Sequence, residues 1–364
     1  MGNLTENANL CGLKREDFQT TVNGKKTDLY ILRNRKGFEV AITNYGGAIC
    51  SIMVPDKEGK VGNVIQGHGN IQSVIDSPEP YLSTLIGRFG NRICRGQFTL
   101  NGKDYQLAIN NGPNALHGGP TGFHARVWDA RQMGPRSLAL HRVSSYGEEG
   151  FTGEVDVTVE FTWSDDNELI IEYMASTNKK TIVNLTHHAF FSLAGTADPT
   201  PTIDDQILEI NGDFYLPTDE TAIPTGEILK VEGTPFDFRT PKPIGQDINA
   251  DNEKIKFGNG YDHNYVLNKH EEGELSFAAR IIEPKSGRTL ECYTTEPGVQ
   301  LYTGNYLTGD YKGVGGATFP RRSAVCLECQ HFPDSPNRPY FPSVVLNPHH
   351  RYKQKTVYKF GITE

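Results

Sequence analysis

A segment near the C-terminus could place a general base on a β-strand. Residues 323–331 read SAVCLECQH, and successive side chains of a strand point to opposite faces. Glu328 then shares a face with the small residues Ala324 and Cys326, whereas Leu327 faces the other way. A carboxylate on an uncrowded strand face suits a concave site and can accept a proton. The alternative is an acid on an exposed strand face, which is the commoner setting for Glu.

A second segment could supply the matching acid. Residues 184–193 read NLTHHAFFSL, and the same alternation groups His188 with Thr186 and Phe190 on a polar face. The neighbouring His187 points toward the core and is interpreted as structural. Hydroxyl groups beside an aromatic ring suit a sugar, which offers hydroxyls for hydrogen bonds and apolar C–H faces for stacking. A His-His pair could also ligate a metal, but no further ligands stand at suitable spacing.

Three loops combine glycine with side chains that form strong hydrogen bonds. They are residues 87–92 (GRFGNR), 114–119 (NALHGG) and 260–264 (GYDHN). Glycine lets a backbone turn tightly or approach a ligand closely, and binding groups often lie on loops held by a rigid scaffold. Each loop alone is a weak signal, because Gly, Asn and Arg also make plain turns. Together with the two strand segments, they complete a candidate sugar site.

These segments resemble the aldose 1-epimerase (galactose mutarotase) family, in which GRxxNR, LHGG, NLTxH, G[FY]DHN and LExQ follow in the same order. The likeness runs from about Asp28 to the C-terminus, so that residues 1–25 form an N-terminal extension outside it. The resemblance implies that Glu328 is the catalytic base and His188 the catalytic acid. It also implies a set of substrate-binding residues, with Arg88 as a further contributor and Phe190 as a stacking ring: Asn91, Arg92, His117, Asp262 and Gln300.

The sequence departs from the family around the acid. The usual NLTNHSYFNL becomes NLTHHAFFSL, which introduces His187, Ala189, Phe190 and Ser192, and the Thr common after the base is Cys329. The acid itself is unchanged. We therefore expect the altered shell to affect substrate preference or rate rather than the chemistry.

The chemistry that the family performs needs only one acid and one base. A proton leaves the C1 hydroxyl while another reaches the ring oxygen, which opens the hemiacetal to an aldehyde that can reclose as the other anomer. The resemblance thus implies no cofactor and no metal. A Glu with a pKa of about 4.3 and a His with a pKa of about 6.5 would suffice near neutral pH. We expect a bell-shaped pH dependence of kcat/KM.

The elements that position these residues are predicted to be almost entirely strands. Apolar and polar residues alternate with period two in short segments bounded by turn signals such as Asn-Gly. The segments are Leu29 to Leu32, Phe38 to Thr43, Ile49 to Val54, Gln97 to Leu100, Tyr105 to Ile109, Leu138 to Val143, Val155 to Phe161, Leu169 to Met174, Leu275 to Ile282, Leu290 to Thr294 and Val357 to Ile362.

Helical patterns are nearly absent, with a turn or two around Ile71 to Ile75 and Tyr81 to Ile86 as the best examples. No composition break marks a domain boundary. The sequence therefore predicts an all-β fold with very little helix: one large antiparallel β-sandwich domain over residues 1–364. The resemblance implies the same galactose mutarotase-like sandwich.

The composition and charge of the chain limit the kinds of molecule that it can be expected to bind. The chain has 364 residues and a formal net charge of -8, without a run of Lys and Arg, which argues against nucleic acid or a membrane surface. A neutral monosaccharide fits better. The N-terminus has no apolar signal region, so we expect a cytoplasmic protein. Six cysteines are too few for a disulfide scaffold, and free thiols are expected. The oligomeric state stays open between a monomer and a weak dimer.

Three alternatives remain at this stage. A glycoside hydrolase would use two carboxylates, and Glu328 with Asp262 could take those roles, although His188 would then be idle. A hexose-6-phosphate 1-epimerase of related fold should carry extra Arg or Lys for the phosphate, and no basic cluster stands out. A non-catalytic sugar-binding protein of the same fold would not need Glu328 and His188.

Overall fold

The computed structural model describes residues 9–363, and most of its regular structure is strand. The two α-helices are short and lie at Ile71–Ile75 and Glu253–Gly258. Seven 3₁₀ turns span Arg15–Phe18, Cys94–Gly96, Phe123–Ala125, Glu148–Gly150, Ile244–Gln246, Val314–Gly316 and Ser335–Asn337. No helix in the described range is long and apolar enough to cross a membrane.

A nine-stranded antiparallel sheet, called the large sheet below, forms one layer. Its longer strands alternate as predicted: Val155, Val157 and Val159 are buried, whereas Asp156 is exposed. Branched side chains at every second position pack well on such a pleated surface. The strands in spatial order are Asp129–Gln132, Ser137–Ser144, Val155–Trp163, Glu168–Thr177, Tyr352–Ile362, Arg288–Thr294, Ser276–Ile282, Ile207–Ile210 and Lys242–Pro243.

A five-stranded antiparallel sheet, called the small sheet below, carries much of the site. Its register places Gln300 opposite Glu328 and Asp262 opposite Tyr302. The spatial order is Leu229–Lys230, Phe214–Tyr215, Asp262–Val266, Gly298–Tyr302 and Cys326–Gln330. Every residue of the strand Cys326–Gln330 is buried, so both of its faces are covered.

A four-stranded sheet and five strand pairs complete the regular structure. The four-stranded sheet contains Leu29–Arg33, Glu39–Thr43, Ile49–Pro55 and Val61–Asn63. The pairs are Thr21–Val22 with Lys25–Lys26, Leu85–Ile86 with Thr186–His187, Arg92–Ile93 with Ala115–Leu116, Gln97–Leu100 with Lys103–Gln106, and Thr181–Ile182 with Val345–Leu346. Two of these pairs tie together the predicted site segments.

One continuous hydrophobic cluster lies between the three larger sheets. Val157 enters it from the large sheet, Leu327 from the small sheet and Val40 from the four-stranded sheet. Sheets that bury their inner faces against one another in this way form a β-sandwich. The prediction of an all-β antiparallel fold with very little helix is confirmed.

The element predictions fail at three places. The strand expected at Tyr105 to Ile109 ends at Gln106. The helical turn expected at Tyr81 to Ile86 is instead a turn followed by the strand Leu85–Ile86. The helix Glu253–Gly258 was not predicted, although Asn252 caps it by accepting hydrogen bonds from two backbone N–H groups of its first turn.

Candidate active site

The structure brings Glu328 and His188 together. Glu328 lies at the centre of the strand Cys326–Gln330, and His188 directly follows the short strand Thr186–His187. The distance between His188 Nε2 and Glu328 Oε1 is 3.4 Å. His188 is held by its backbone, which donates to the Thr84 carbonyl and accepts from the Ser83 amide. The two residues predicted as base and acid therefore share one pocket.

The predicted segment around His188 is not one long strand, but its alternation holds. Leu185 and Phe191 belong to the main core, and the His187 ring contacts the Gly47 carbonyl through Nε2 at 3.1 Å. His188 points the other way, as predicted. The extended backbone thus directs successive side chains to opposite faces, even where the strand that pairs with a neighbour is short.

Glu328 lies in surroundings that disfavour its charge. Its side chain is 2% exposed. Burial raises the pKa of Glu328 well above its usual value, Asp262 raises it further, Arg92 opposes the shift, and Glu79 adds to it. One carboxylate oxygen, Oε2, has no hydrogen-bond partner among the described residues. Glu328 can therefore form a further hydrogen bond with a ligand through Oε2.

His188 is also pushed toward its neutral form. Burial lowers the pKa of His188 to about 3, and the nearby His187 and Arg92 act in the same direction. The ring stacks on Phe190 with centroids 4.7 Å apart. Neither group therefore has the ordinary pKa value that the sequence analysis assumed. Both shifts follow from enclosure in a pocket that sequence alone could not reveal.

His117 faces the same pocket, and its tautomer is set by the backbone. Its Nδ1 accepts a 2.9 Å hydrogen bond from the Asn91 N–H. Burial holds the pKa of His117 well below its usual value, so the ring is neutral and its hydrogen is on Nε2. The rings of His117 and His188 are 5.2 Å apart and nearly perpendicular. His117 is therefore a hydrogen-bond donor to whatever occupies the pocket.

The same three residues have the spacing of a metal site but not its chemistry. One donor atom each from His117, His188 and Glu328 lie within 4.8 Å of one another. A metal needs a free nitrogen lone pair from each histidine. In His117 the Nδ1 lone pair is occupied by the Asn91 amide and Nε2 carries the hydrogen. The cluster therefore fits a hydroxyl-bearing ligand better than a cation.

Asp262, Arg92 and Gln300 form a second polar group in the pocket. Gln300 Nε2 donates to Asp262 Oδ1 at 2.9 Å, and an Arg92 nitrogen lies 3.8 Å from Asp262 Oδ2. The side chains of Arg92 and Asp262 are 12% and 13% exposed. Arg92 Nε also donates to Asn111. Asp262 is thus oriented by its neighbours, while its side chain stays partly exposed.

Asn91 acts on the pocket through the backbone. It has a positive φ of 65°, a conformation that Asn tolerates better than most residues. Its Oδ1 accepts from the Arg92 amide, and its own amide holds His117. Of the seven predicted binding residues, the structure therefore gathers five in or beside the pocket: Asn91, Arg92, His117, Asp262 and Gln300.

Two predicted binding residues need correction. The Arg88 guanidinium donates to Ser144 Oγ and to the carbonyls of Ser144, Ser145 and Thr152, which leaves it buried in a structural contact. Phe190 is fully buried and lies against the His188 ring. It supports the His188 ring but offers no exposed face to a sugar.

Tyr81 and Glu79 are pocket residues that the sequence motifs do not reveal. The Tyr81 ring lies 4.7 Å from that of His117 and parallel to that of His188 at 6.4 Å. Glu79 is half-buried, accepts from the Tyr81 amide, and has a pKa raised to about 7 by burial. The only signal was an aromatic residue shortly before GRFGNR, which the helical interpretation of that segment obscured.

Comparisons with known proteins agree with this site. The aldose 1-epimerase family model matches residues 28–359. Galactose mutarotase from Bos taurus is 43% identical over 323 residues, which cover 89% of this chain and 91% of that protein. Aldose 1-epimerase from Escherichia coli is 34% identical and covers 93% and 96%. An aldose epimerase homologue from C. elegans superposes with a TM-score of 0.84 at 30% identity, covering 93% of this chain and all of that one.

Fold and sequence together place the protein among the sugar isomerases. The chain belongs to the aldose 1-epimerase family. The resemblance inferred from the five motifs is thereby confirmed over nearly the range expected.

Proposed function

We propose that the protein interconverts the α and β anomers of free hexoses such as galactose and glucose, with Glu328 as general base and His188 as general acid. The observation that carries the proposal is the 3.4 Å contact between His188 Nε2 and Glu328 Oε1 inside a buried polar pocket. Names of the relatives, a galactose mutarotase and an aldose 1-epimerase, support the choice of substrate.

The reaction follows from the two proton positions. Glu328 takes the proton of the C1 hydroxyl while His188 delivers a proton to the ring oxygen. The bond between C1 and the ring oxygen breaks, and C1 becomes an aldehyde. After rotation about the C1–C2 bond, the C5 hydroxyl attacks the other aldehyde face. His188 recovers its proton and Glu328 returns the one it took, so neither group changes overall.

The shifted pKa values define how the pair must be protonated. Base and acid together need one proton: a carboxylate on Glu328 and an imidazolium on His188. Because the pKa of His188 is lowered and that of Glu328 raised, burial favours that proton on Glu328. Transfer of the proton from Glu328 to His188, whose Nε2 lies 3.4 Å from Glu328 Oε1, converts this neutral pair into the reactive pair. Sugar hydroxyls then stabilise the charges that burial disfavours.

The remaining pocket residues orient the sugar. His117 donates from Nε2 to a sugar hydroxyl, and Asp262 accepts from another. Arg92 and Gln300 hold the Asp262 carboxylate, and Asn91 fixes the His117 tautomer. Acid and base each contribute about 10²–10⁴-fold, so the orientation of the sugar must supply much of the rest.

A phosphorylated sugar suits the pocket less well than a free one. Two further acids, Asp262 and Glu79, both raise the pKa of Glu328 in it. Arg92, which would be needed for a phosphate, is already engaged by Asp262 and Asn111. Bidentate phosphate recognition requires a free guanidinium fork. The charge distribution therefore favours neutral hexoses over hexose 6-phosphates.

Polarimetry on freshly dissolved α-D-galactose and α-D-glucose tests the proposal. We expect acceleration by the wild type and a loss of about 10²–10⁴-fold in kcat for Glu328→Gln and for His188→Asn. The matched controls are Glu58→Gln and His141→Asn, both at exposed positions, which should keep the wild-type rate. Acceleration that survives both pocket substitutions would refute the assigned roles.

A further inference from the structure

A wide groove lies apart from the catalytic cluster. Its volume is about 1380 Å³, which exceeds the roughly 300–1,000 Å³ of ordinary small-molecule pockets. The large-sheet strands Val155–Trp163, Glu168–Thr177 and Tyr352–Ile362 contribute to its lining, together with residues 266–273 and 331–343. None of the residues assigned above to the active site belongs to the lining. The groove has room for more than one sugar ring.

An ion pair supplies a fixed polar group in this lining. His331 Nδ1 lies 2.6 Å from Glu296 Oε2, and the two side chains are 20% and 3% exposed. Burial alone would lower the pKa of His331, but the charge and hydrogen bond of Glu296 raise it above its usual value. Since Nδ1 is taken up by Glu296, Nε2–H is the donor that His331 can offer to the groove.

Aromatic side chains form another part of the lining. The Phe341 ring makes edge contacts with those of Phe332 and Tyr340, at centroid distances of 5.3 and 5.1 Å. Tyr340 is 60% exposed, and its hydroxyl donates to the Gly226 carbonyl at 2.6 Å. The Tyr340 ring is therefore held in place while remaining accessible. A fixed, accessible ring is the surface on which an apolar sugar face stacks.

The charges in the groove balance. With His331 protonated, four acids face four bases: Glu160, Glu172, Glu272 and Glu296 against Lys269, Lys353, Lys355 and His331. Lys269 uses its ammonium on the Glu274 and Thr294 carbonyls and on Ser276 Oγ. A lining with no excess charge gives no advantage to an anion or a cation. Its hydrogen-bonding groups and aromatic rings suit an uncharged polar ligand.

We propose that this groove is a second saccharide-binding site, separate from the active site, which takes an uncharged oligosaccharide of two or more rings. The Tyr340 ring stacks on one sugar, and His331 Nε2 donates to a hydroxyl. The proposal does not depend on the catalytic roles given above, because it concerns other residues and needs no reaction.

Ligand-observed NMR with methyl β-cellobioside tests the groove. This disaccharide has a blocked anomeric centre and cannot be epimerised. We expect binding with a dissociation constant of roughly millimolar order, and Tyr340→Ala should weaken it by about three- to tenfold through the lost stacking. Tyr340→Phe keeps the ring and should retain most of the affinity, which separates stacking from a general loss of structure.

Two further variants locate the ligand. Tyr146 has the same 60% exposure as Tyr340 but lies outside the groove, so Tyr146→Ala should bind like the wild type. Asp262→Ala alters the active site and should leave this binding unchanged. Absence of binding, equal loss in Tyr340→Ala and Tyr146→Ala, or loss in Asp262→Ala would each overturn the proposal, the last by placing the disaccharide in the active site.

Discussion

Two carboxylate–imidazole pairs on the same stretch of chain differ in a way that separates catalysis from structure. Glu328 and His331 are three residues apart, yet Glu328 pairs with His188 and His331 with Glu296. The His331–Glu296 contact is 2.6 Å, and the pKa of His331 is raised. The His188–Glu328 contact is 3.4 Å, and the pKa of His188 falls to about 3. His331 and Glu296 thus favour their charged forms, whereas His188 and Glu328 favour their neutral forms.

The difference arises from what surrounds each pair. Around Glu328 and His188, burial is nearly complete, Arg92 disfavours the imidazolium, and Asp262 disfavours the carboxylate. In addition, His188 Nδ1 and Glu328 Oε2 have no partners among the described residues. Buried polar groups without a partner cost stability. A bound sugar would supply partners for them, which supports the proposal that His188 and Glu328 form the reactive pair.

The largest expected effect is on catalysis, and it should fall on one pair only. Glu328→Gln should lower kcat for mutarotation by about 10²–10⁴-fold, whereas Glu296→Gln should leave the kcat of the folded protein close to that of the wild type. Polarimetry at equal concentrations of folded protein measures both. Equal losses in the two variants would mean that the contrast between the pairs has no catalytic meaning.

The second effect is on stability, and it should fall on the other pair. In Glu296→Gln, His331 loses its charged acceptor in a partly buried place. We expect the free energy of unfolding to drop by about 1–3 kcal/mol. Urea unfolding at neutral pH measures it, with Glu58→Gln as the surface control. A drop within the roughly 0.5 kcal/mol of ordinary surface changes would contradict this view of the pair.

The third effect has the opposite sign. The folded pKa of Glu328 is raised above the unfolded value of about 4.3. Its contribution to stability is therefore full below that value and is lost as pH rises toward the folded pKa. At pH 7, Glu328→Gln should thus raise the free energy of unfolding, with no such gain at pH 4. If Glu328→Gln instead lowered the free energy of unfolding at pH 7, burial of the Glu328 carboxylate would not be destabilising.

The sequence predicts the pair Glu328 and His188 but not the pKa shifts of the two side chains. Strand alternation places Glu328 and His188 on polar faces because that pattern is local. Arg88 was misjudged because its partners, such as Ser144 and Thr152, lie more than fifty residues away in the sequence. The pKa shifts depend on burial by the whole fold. Only long-range packing decides such features, and no motif encodes them.

Glu79 is a residue near the site that the sequence motifs did not predict. It lies just before the segment Tyr81 to Ile86, which has a weak helical pattern, and no site residue was expected there. In the structure, the Ser83 and Thr84 backbone of that segment pairs with His188. The Tyr81 ring of that segment lies beside the rings of His117 and His188. A residue with no motif of its own can thus act on Glu328.

The smallest expected effect is a shift in pH dependence caused by Glu79. The free pair is active while it holds one proton, and burial lowers the pKa of His188 to about 3. The kcat/KM profile should therefore show no acidic break near the ordinary histidine value of about 6.5. The alkaline limb follows loss of that proton, which Glu79 opposes by raising the pKa of Glu328. Removing this negative charge in Glu79→Gln should lower that pKa and move the limb to lower pH. Polarimetric pH profiles of the wild type, Glu79→Gln and Glu58→Gln measure the shift. An alkaline limb that stays unchanged or moves to higher pH would show that Glu79 does not act on the pair. An acidic break of the wild-type profile near pH 6.5 would show that His188 titrates like an ordinary, solvent-exposed histidine.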